Sequence, residues 1–301
     1  MDSLRVAVFQ NASYEHLWSN LQSAFEDMYL IKLNVFFFDD IFQEAKNVTK
    51  ICDEFDLLVG INNAFFFEVE HDLFLEEKPE NLRMVEEEFI FDASNHVIPF
   101  GFQYLGFLFH ENKEIPLTLG HLQDKQWKNK ILLPNCETTS IGRAALYWSV
   151  ALFEDNGYRF FWKSLKENFY LITPNSEEAL DRFLIREAPI CLHVVTQSKK
   201  DLHYQIPIEG YYQFIEGMAI PKNSSQPELA KTVMNLLLSE PMQKLISSSQ
   251  NLLPVHKVIF HQEIKEQYRI PNFNTTGRLH PNRIKAEKDI WLKQWKQINK
   301  I

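Results

Sequence analysis

Glycine is scarce in this 301-residue chain, at 9 residues, and cysteine scarcer still, at 3. So little glycine argues against a glycine-rich phosphate loop, and neither a GxGxxG nor a GxxxxGK[ST] pattern occurs. Cys52, Cys136 and Cys191 lie far apart, are odd in number and form no CxxC pair, which excludes a disulfide framework and a zinc motif. Each sits among apolar residues and is expected to be a buried free thiol. Basic residues are not in excess: 31 Lys and Arg stand against 40 Asp and Glu, for a net charge of −9. Binding to phosphate backbones needs a basic surface, so nucleic acid is not an expected partner, whereas a cationic ligand is compatible with this sign. No apolar run approaches the ~20 residues of a membrane span. Ile31–Phe38 is broken by Lys32 and Asn34 and has the length of a strand. Met1-Asp2-Ser3 leads straight into an apolar segment with no visible signal peptide, which fits either a cytosolic chain or a mature form given a start methionine. GxSxG and HExxH are missing too, and the ten histidines are scattered. No catalytic residue, metal site or cofactor is assigned.

What is present is an ordinary globular composition, 45% hydrophobic and 24% charged, with 25 Phe, long enough for two lobes. Apolar runs alternate with helical periodicity. Leu4–Phe9, Lys32–Phe38 and Phe55–Gly60 read as strands. His16–Tyr29 reads as a helix with Leu17, Leu21, Ala24, Phe25 and Met28 on one face, and Ile41–Phe55 as a second helix. Glu68–Glu88 is acidic and irregular, read as a solvated surface. His96–Phe109 is a long apolar strand, and Ile131–Pro134 and Ile190–Val195 are further strands. Helices are expected after Thr138–Gly142, over Phe160–Glu167, over Ser176–Glu187 and over Ile284–Ile298. Ser225-Gln226-Pro227-Glu228 has the spacing of a capping box opening a helix over Glu228–Leu238, followed by helical Met242–Ser248. Strand and helix in alternation imply an α/β fold with a mostly parallel sheet.

Several segments then resemble, in order and spacing, the thiamine-binding periplasmic proteins of bacterial ABC importers. They are Phe55-Asp56-Leu57-Leu58-Val59-Gly60-Ile61-Asn62-Asn63, Ile98-Pro99-Phe100 with Tyr104 and Phe107, and Cys136 through Gly142 ahead of Tyr147-Trp148. Glu209-Gly210-Tyr211-Tyr212-Gln213, Gln226-Pro227-Glu228-Leu229-Ala230, Leu252-Leu253-Pro254-Val255 and the Trp291/Trp295 pair complete the set. The resemblance covers nearly the whole chain. It implies a periplasmic-binding-protein-like fold with two lobes, a ligand cleft and two chain crossings. Residues 1–98 plus 218–270 would form one lobe, 105–212 plus 271–301 the other, and 99–104 and 213–217 the crossing strands. The implied protein is a monomer, periplasmic or at the cell surface. It would capture thiamine or a thiamine phosphate and deliver it to a membrane permease without being an enzyme. The same fold also serves other solutes, such as a ferric ion, a polyamine or a pyrimidine, and a related architecture carries thiamine-precursor synthesis.

The expected ligand-binding residues are Asn11, Tyr14, Trp18, Asp40, Asn62, Thr139, Ser140, Gly142, Ser176 and Tyr211. Asn11, Tyr14 and Trp18 follow the first strand, where loops at the carboxyl ends of parallel strands meet ligands. Trp18 has packing against its own lobe as its other reading. Asp40 could pair with a cationic or aminopyrimidine ring, or cap the following helix. The Thr138–Gly142 turn opens a helix whose free N–H groups suit an anion, or simply caps it. Adjacent Tyr211 and Tyr212 point to opposite faces of a strand, unlike a metal-chelating pair. Ser176, Val194 and Asn251 stand where the family's aromatic rings are expected.

Overall fold

Phe, Val, Leu and Ile runs four to twelve residues long, each bounded by polar turns, set the architecture. A computed structural model describes residues 2–9, 15–110, 115–195, 202–249, 252–264 and 270–300. The chain divides into two compact units: Met1–Gln103 with Ile215–Arg269, and Tyr104–Phe214 with Ile270–Ile301.

In the first unit β1 (Asp2–Phe9) runs parallel to both β2 (Ile31–Phe38) and β3 (Leu57–Asn62), with Val6 opposite Val35 on one side and Leu57 on the other. β3 is buried along its whole length, as its continuous apolar run requires. β9 (Gln213–Ala219) returns antiparallel to β3, and β10 (Leu253–Pro254) pairs antiparallel with β4 (Ile98–Phe109) through Phe102 and Gly101. Between β1 and β2, α1 (Glu15–Tyr29) buries Leu17, Trp18, Leu21 and Phe25. Met28, expected on that face, lies in the last turn of the helix and is 55% exposed.

The second helix starts later than its periodicity suggested: α2 spans only Val48–Glu54. Asp40 opens the segment ahead of it with a turn. Its Oδ1 accepts from Phe42 N at 3.0 Å, and its carbonyl accepts from Gln43 N at 2.8 Å, so the chain turns before it coils. The capping box is also replaced. α5 (Pro227–Leu237) has Gln226 at its N-cap with no side-chain cap bond, while buried Asp56 Oδ1 accepts from Ser224 Oγ, Ser225 N, Ser225 Oγ and Gln226 N. A carboxylate from the start of β3 thus supplies the anion that a helix N-terminus favours. α6 (Glu240–Ser248) and the single turn α7 (Lys257–Ile259) follow. The acidic stretch is not wholly solvated: Phe74 and Val85 are buried and bridge to Pro221 and His256.

In the second unit β7 (Ile190–Val195) pairs antiparallel with β4 and parallel with β5 (Ile131–Pro134), and β6 (Phe169–Thr173) runs parallel to β5. β8 (His203–Gln205) pairs antiparallel with β4. β8 is short and half-exposed, with nothing to mark it in the sequence, while β6, an apolar Phe-Tyr-Leu-Ile-Thr run, was not among the expected strands. The two helices expected after Gly142 form one element, α3 (Ser140–Leu165), interrupted at Glu154, whose φ of 56° and ψ of −166° are non-helical. α4 (Ser176–Leu184) packs on β7, and α8 (Pro281–Asn299) on α3. Trp291 and Trp295 are buried, Trp295 edge-on to Trp162 with centroids 6.1 Å apart. All three cysteines are buried free thiols, and burial pushes Cys52 up to about 12. No described helix is long and apolar enough to cross a membrane.

Candidate functional site

Polar side chains gather at the carboxyl ends of the parallel strands in each unit, where such sheets place their ligands. In the first unit β3 reaches that end through a bulge between Val59 and Ile61. Gly60 occupies it with φ 101°, and a Cβ there would fall 2.4 Å from the Phe9 carbonyl oxygen, so only glycine lets β1 and β3 approach this closely. Asn62 Oδ1 then accepts from Ala64 N at 3.2 Å and Phe65 N at 3.0 Å, which fixes the turn. Asn63 exchanges hydrogen bonds with the Ile215 backbone, its N donating at 2.9 Å and its Oδ1 accepting at 3.2 Å.

This pairing places Glu216 of β9 directly opposite Asn62. Glu216 is buried at 7% exposure and its Oε2 has no hydrogen-bond partner. Burial, and then the charge of Asp40, push its carboxyl up to about 8. The first unit therefore brings Asp40, Asn62 and Glu216 together. Glu216 was not among the residues expected from the sequence. Its one signal there was a lone acid inside the otherwise uncharged run Gln213–Ala219.

Trp18 is placed differently. Its ring is 1% exposed and stacks on Phe100, with centroids 5.8 Å apart and planes 23° from parallel, inside the packing of its own unit. Asn11, Tyr14 and Asn251 lie outside the described residues.

The buried Glu216 carries a pH signature. Below about pH 4.5 it is protonated whether the chain is folded or not and contributes nothing. As pH rises from there to about 8 the unfolded chain ionises first, so folded stability is lost across that window and no further above it. Glu216→Gln removes the loss. Urea unfolding should find the variant more stable than the parent at pH 8, by a difference on the order of 4 kcal/mol that vanishes towards pH 4.5. A difference independent of pH would refute this.

In the second unit β5 ends at Pro134, and Thr139 caps α3: its Oγ1 accepts from Gly142 N at 2.9 Å and donates to Asn135 O at 2.9 Å. Both capacities of the Thr139 hydroxyl used in these bonds serve the turn. Gly142 sits where a Cβ would fall 2.4 Å from Pro134 O, so the helix start lies directly on the strand end. Ser140 follows at 3% exposure, and Arg143, buried one turn in, donates from Nε to Cys136 O at 2.8 Å.

The neighbouring α4 opens beside it. Thr138 Oγ1 donates to Pro174 O at 2.6 Å, and Asn175 Oδ1 accepts from Glu178 N at 2.7 Å. Ser176, the first residue of α4, is buried with an unpartnered Oγ. His193 on β7 is 2% exposed, has an unpartnered Nε2, and is held neutral by burial, which lowers it to about 4 despite hydrogen bonds to the backbone of Val194 and Ser176. This part of the second unit thus offers two helix N-termini and neutral polar groups, a setting suited to an anionic or hydrogen-bonding ligand end.

Tyr211 is held by its backbone: its N donates to Phe273 O at 3.0 Å and its O accepts from Thr275 N at 2.9 Å. Its half-buried ring meets Tyr104 edge-on at 5.5 Å. Tyr212 is buried, and burial raises its phenol. Among the described residues no group of three or more His, Cys, Asp or Glu could hold a metal ion.

Comparison with known proteins places this geometry. A thiamine-binding periplasmic protein of Salmonella typhimurium is 23% identical over 210 residues, covering 66% of this chain. The matched region spans 63% of that relative's length. A solved periplasmic thiamin binding protein superposes with a TM-score of 0.83 at 19% identity, covering 99% of this chain and 96% of that one. The apo ferric ion-binding protein A of Pasteurella haemolytica superposes at 0.79 with 14% identity, covering 99% and 98%. These likenesses establish a periplasmic-binding-protein fold of two units, a fold found with different ligands. The model of the bacterial extracellular solute-binding proteins matches residues 53–275, most of both units, and this chain belongs to that family.

Proposed function

We propose that this protein is the solute-capturing component of an ABC importer, acting outside the cytoplasm as a monomer, and that its solute is thiamine or a thiamine phosphate passed on to a membrane permease. The reading is that of a carrier and not of an enzyme. The observation that carries it is the acidic pair Asp40 and Glu216 beside Asn62 at the strand ends of the first unit. Two carboxyl groups, Glu216 buried and Asp40 half-buried, suit a ligand that is cationic and donates hydrogen bonds, as a thiazolium joined to an aminopyrimidine does. Ser140 and Ser176, at the starts of α3 and α4, supply the surface for a hydroxyl or phosphate end, which Thr139 and Gly142 shape by fixing the first turn of α3, with Asn11, Tyr14 and Tyr211 as further contacts and Trp18 acting through packing. The similarity to thiamine-binding proteins supports the choice of ligand.

A second reading is a different organic cation, such as a polyamine. Ser176 and Val194 favour it, since they stand where rings that would stack on thiamine are expected. Isothermal titration with thiamine, its monophosphate and its diphosphate decides between them. The expected result is saturable binding with Kd at or below about 10 µM, roughly −7 kcal/mol, weakened about tenfold or more by Asp40→Asn, since a charge-assisted hydrogen bond contributes ~1.5–3 kcal/mol. Lack of saturable heat with all three at millimolar concentration would exclude the thiamine reading, and saturation by spermidine instead would establish the second.

A further inference from the structure

Glu216 lies within hydrogen-bonded surroundings that do nothing for its own carboxyl. Across the strand pair Asn62 faces it, and the Oδ1 of Asn62 is directed to the backbone of Ala64 and Phe65. Asn63, its neighbour, is tied to Ile215. The stretch Ile98–Gln103 of β4 contains no titratable group. The one charge that acts on Glu216 among the described residues is Asp40, of the same sign. A second carboxylate in so confined a place is unfavourable, and a lone buried one without a donor is more so. Yet the Glu216 side chain keeps an unpartnered oxygen at 7% exposure. An acid kept neutral by burial and by a neighbouring anion becomes an anion once a cation arrives to pair with it.

We propose that solute capture is proton-linked through Glu216: binding of a cationic solute beside Asp40 displaces the Glu216 proton into solvent, and this exchange selects a cation over a neutral molecule of the same shape. This rests on the reading of the chain as a carrier of a cationic solute. The balance is simple. The neutral carboxyl and the solute cation give a carboxylate–cation pair and one released proton, so the charge buried on capture stays constant. Asp40 is the neighbouring carboxyl and Glu216 the one that exchanges its proton. With the carboxyl raised to about 8 in the free protein, nearly one proton leaves per solute at pH 7. Affinity for a monocation then climbs about tenfold per pH unit between pH 6 and 7 and levels off above pH 8.

The test is calorimetry of the full chain with thiamine, in buffers of different ionisation enthalpy at pH 7, on the parent and on Glu216→Gln. The expected result is close to one proton released per thiamine by the parent and none by the variant, whose affinity no longer changes between pH 6 and 8. The neutral analogue with a thiophene ring in place of the thiazolium should release no proton and bind the parent at least tenfold more weakly than thiamine. Equal proton release by parent and variant, or binding to the parent with no proton release, would overturn the proposal. If thiamine does not bind at all, the ligand reading fails and the proton linkage is judged separately. Carbon NMR of the Glu216 carboxyl is then recorded with and without spermidine. Titration in the ordinary carboxylate range in the free protein overturns the linkage, and a raised midpoint that falls when spermidine is added upholds it.

Discussion

Gln243→Leu should lower the unfolding free energy by roughly 4–6 kcal/mol, since each buried backbone group left unpaired costs about 1–3 kcal/mol. Gln243 is fully buried, and its amide serves four backbone groups in the first unit. Nε2 donates to Phe100 O and Leu237 O, both at 3.0 Å, and Oε1 accepts from Val255 N at 2.9 Å and His256 N at 3.3 Å. One side chain therefore joins a strand, the end of α5 and the segment after β10. Leucine matches its volume closely, so packing loss is small, but all four partners lose their hydrogen bond where water does not reach. The expected readout is a fall in the urea midpoint with unchanged slope. A loss below about 1 kcal/mol would mean that the segment relaxes to pair these groups elsewhere.

Gly142→Ala should be nearly as damaging, in the second unit. The added Cβ meets Pro134 O at 2.4 Å and the carbonyl carbon and oxygen of Asn135 at 2.5 Å, which are backbone atoms that cannot swing aside. Relief needs the first turn of α3 to lift off the end of β5, at a cost of about 3 kcal/mol or more. The Thr139 Oγ1 to Gly142 N cap would be stretched by the same movement. Gly277→Ala is the control, because a Cβ there meets nothing within 4 Å and the melting temperature should stay within about a degree. Thermal unfolding of the two variants side by side separates them. Similar melting temperatures would contradict the close approach of helix and strand.

The parts of the fold that were legible in the sequence are those where one force dominates. Leu57–Asn62 and Ile98–Phe109 are buried on both faces, and a continuous apolar run has few other solutions. Legibility fails where a distant residue intervenes. Ser225 and Glu228 have capping-box spacing, but a carboxylate some 170 positions earlier in the chain, that of Asp56, takes the donors at that helix end. The helical pattern from Ile41 is realised as α-helix only from Val48, after a turn that Asp40 opens. Strand β8 lacks an apolar signature because it is three residues long and only half covered, whereas β6, an apolar Phe-Tyr-Leu-Ile-Thr run, carries one and was not among the expected strands. For the candidate site, Asp40 and Asn62 were expected from the sequence and Glu216, which the structure sets beside them, was not. Its significance comes from the register that sets it opposite Asn62, and strand register is not written in any single segment. Trp18 shows the converse: aromatic character alone does not distinguish a ligand platform from a core residue such as this one, stacked on Phe100.

The way the chain is shared between the two units has a consequence for biosynthesis. The first unit needs β9, α5 and α6 to complete its core, with Met218, Met234, Met242 and Ile246 all buried, and these residues emerge from the ribosome after the body of the second unit has been made. The second unit in turn waits for Trp291 and Trp295, which arrive within the last helix. Neither core can close during most of translation, so domain-by-domain folding as the nascent chain lengthens is not open to this sequence. Closure of both cores should be a late, nearly concerted event, and the nascent chain stays threadable through a narrow channel until α8 has been made.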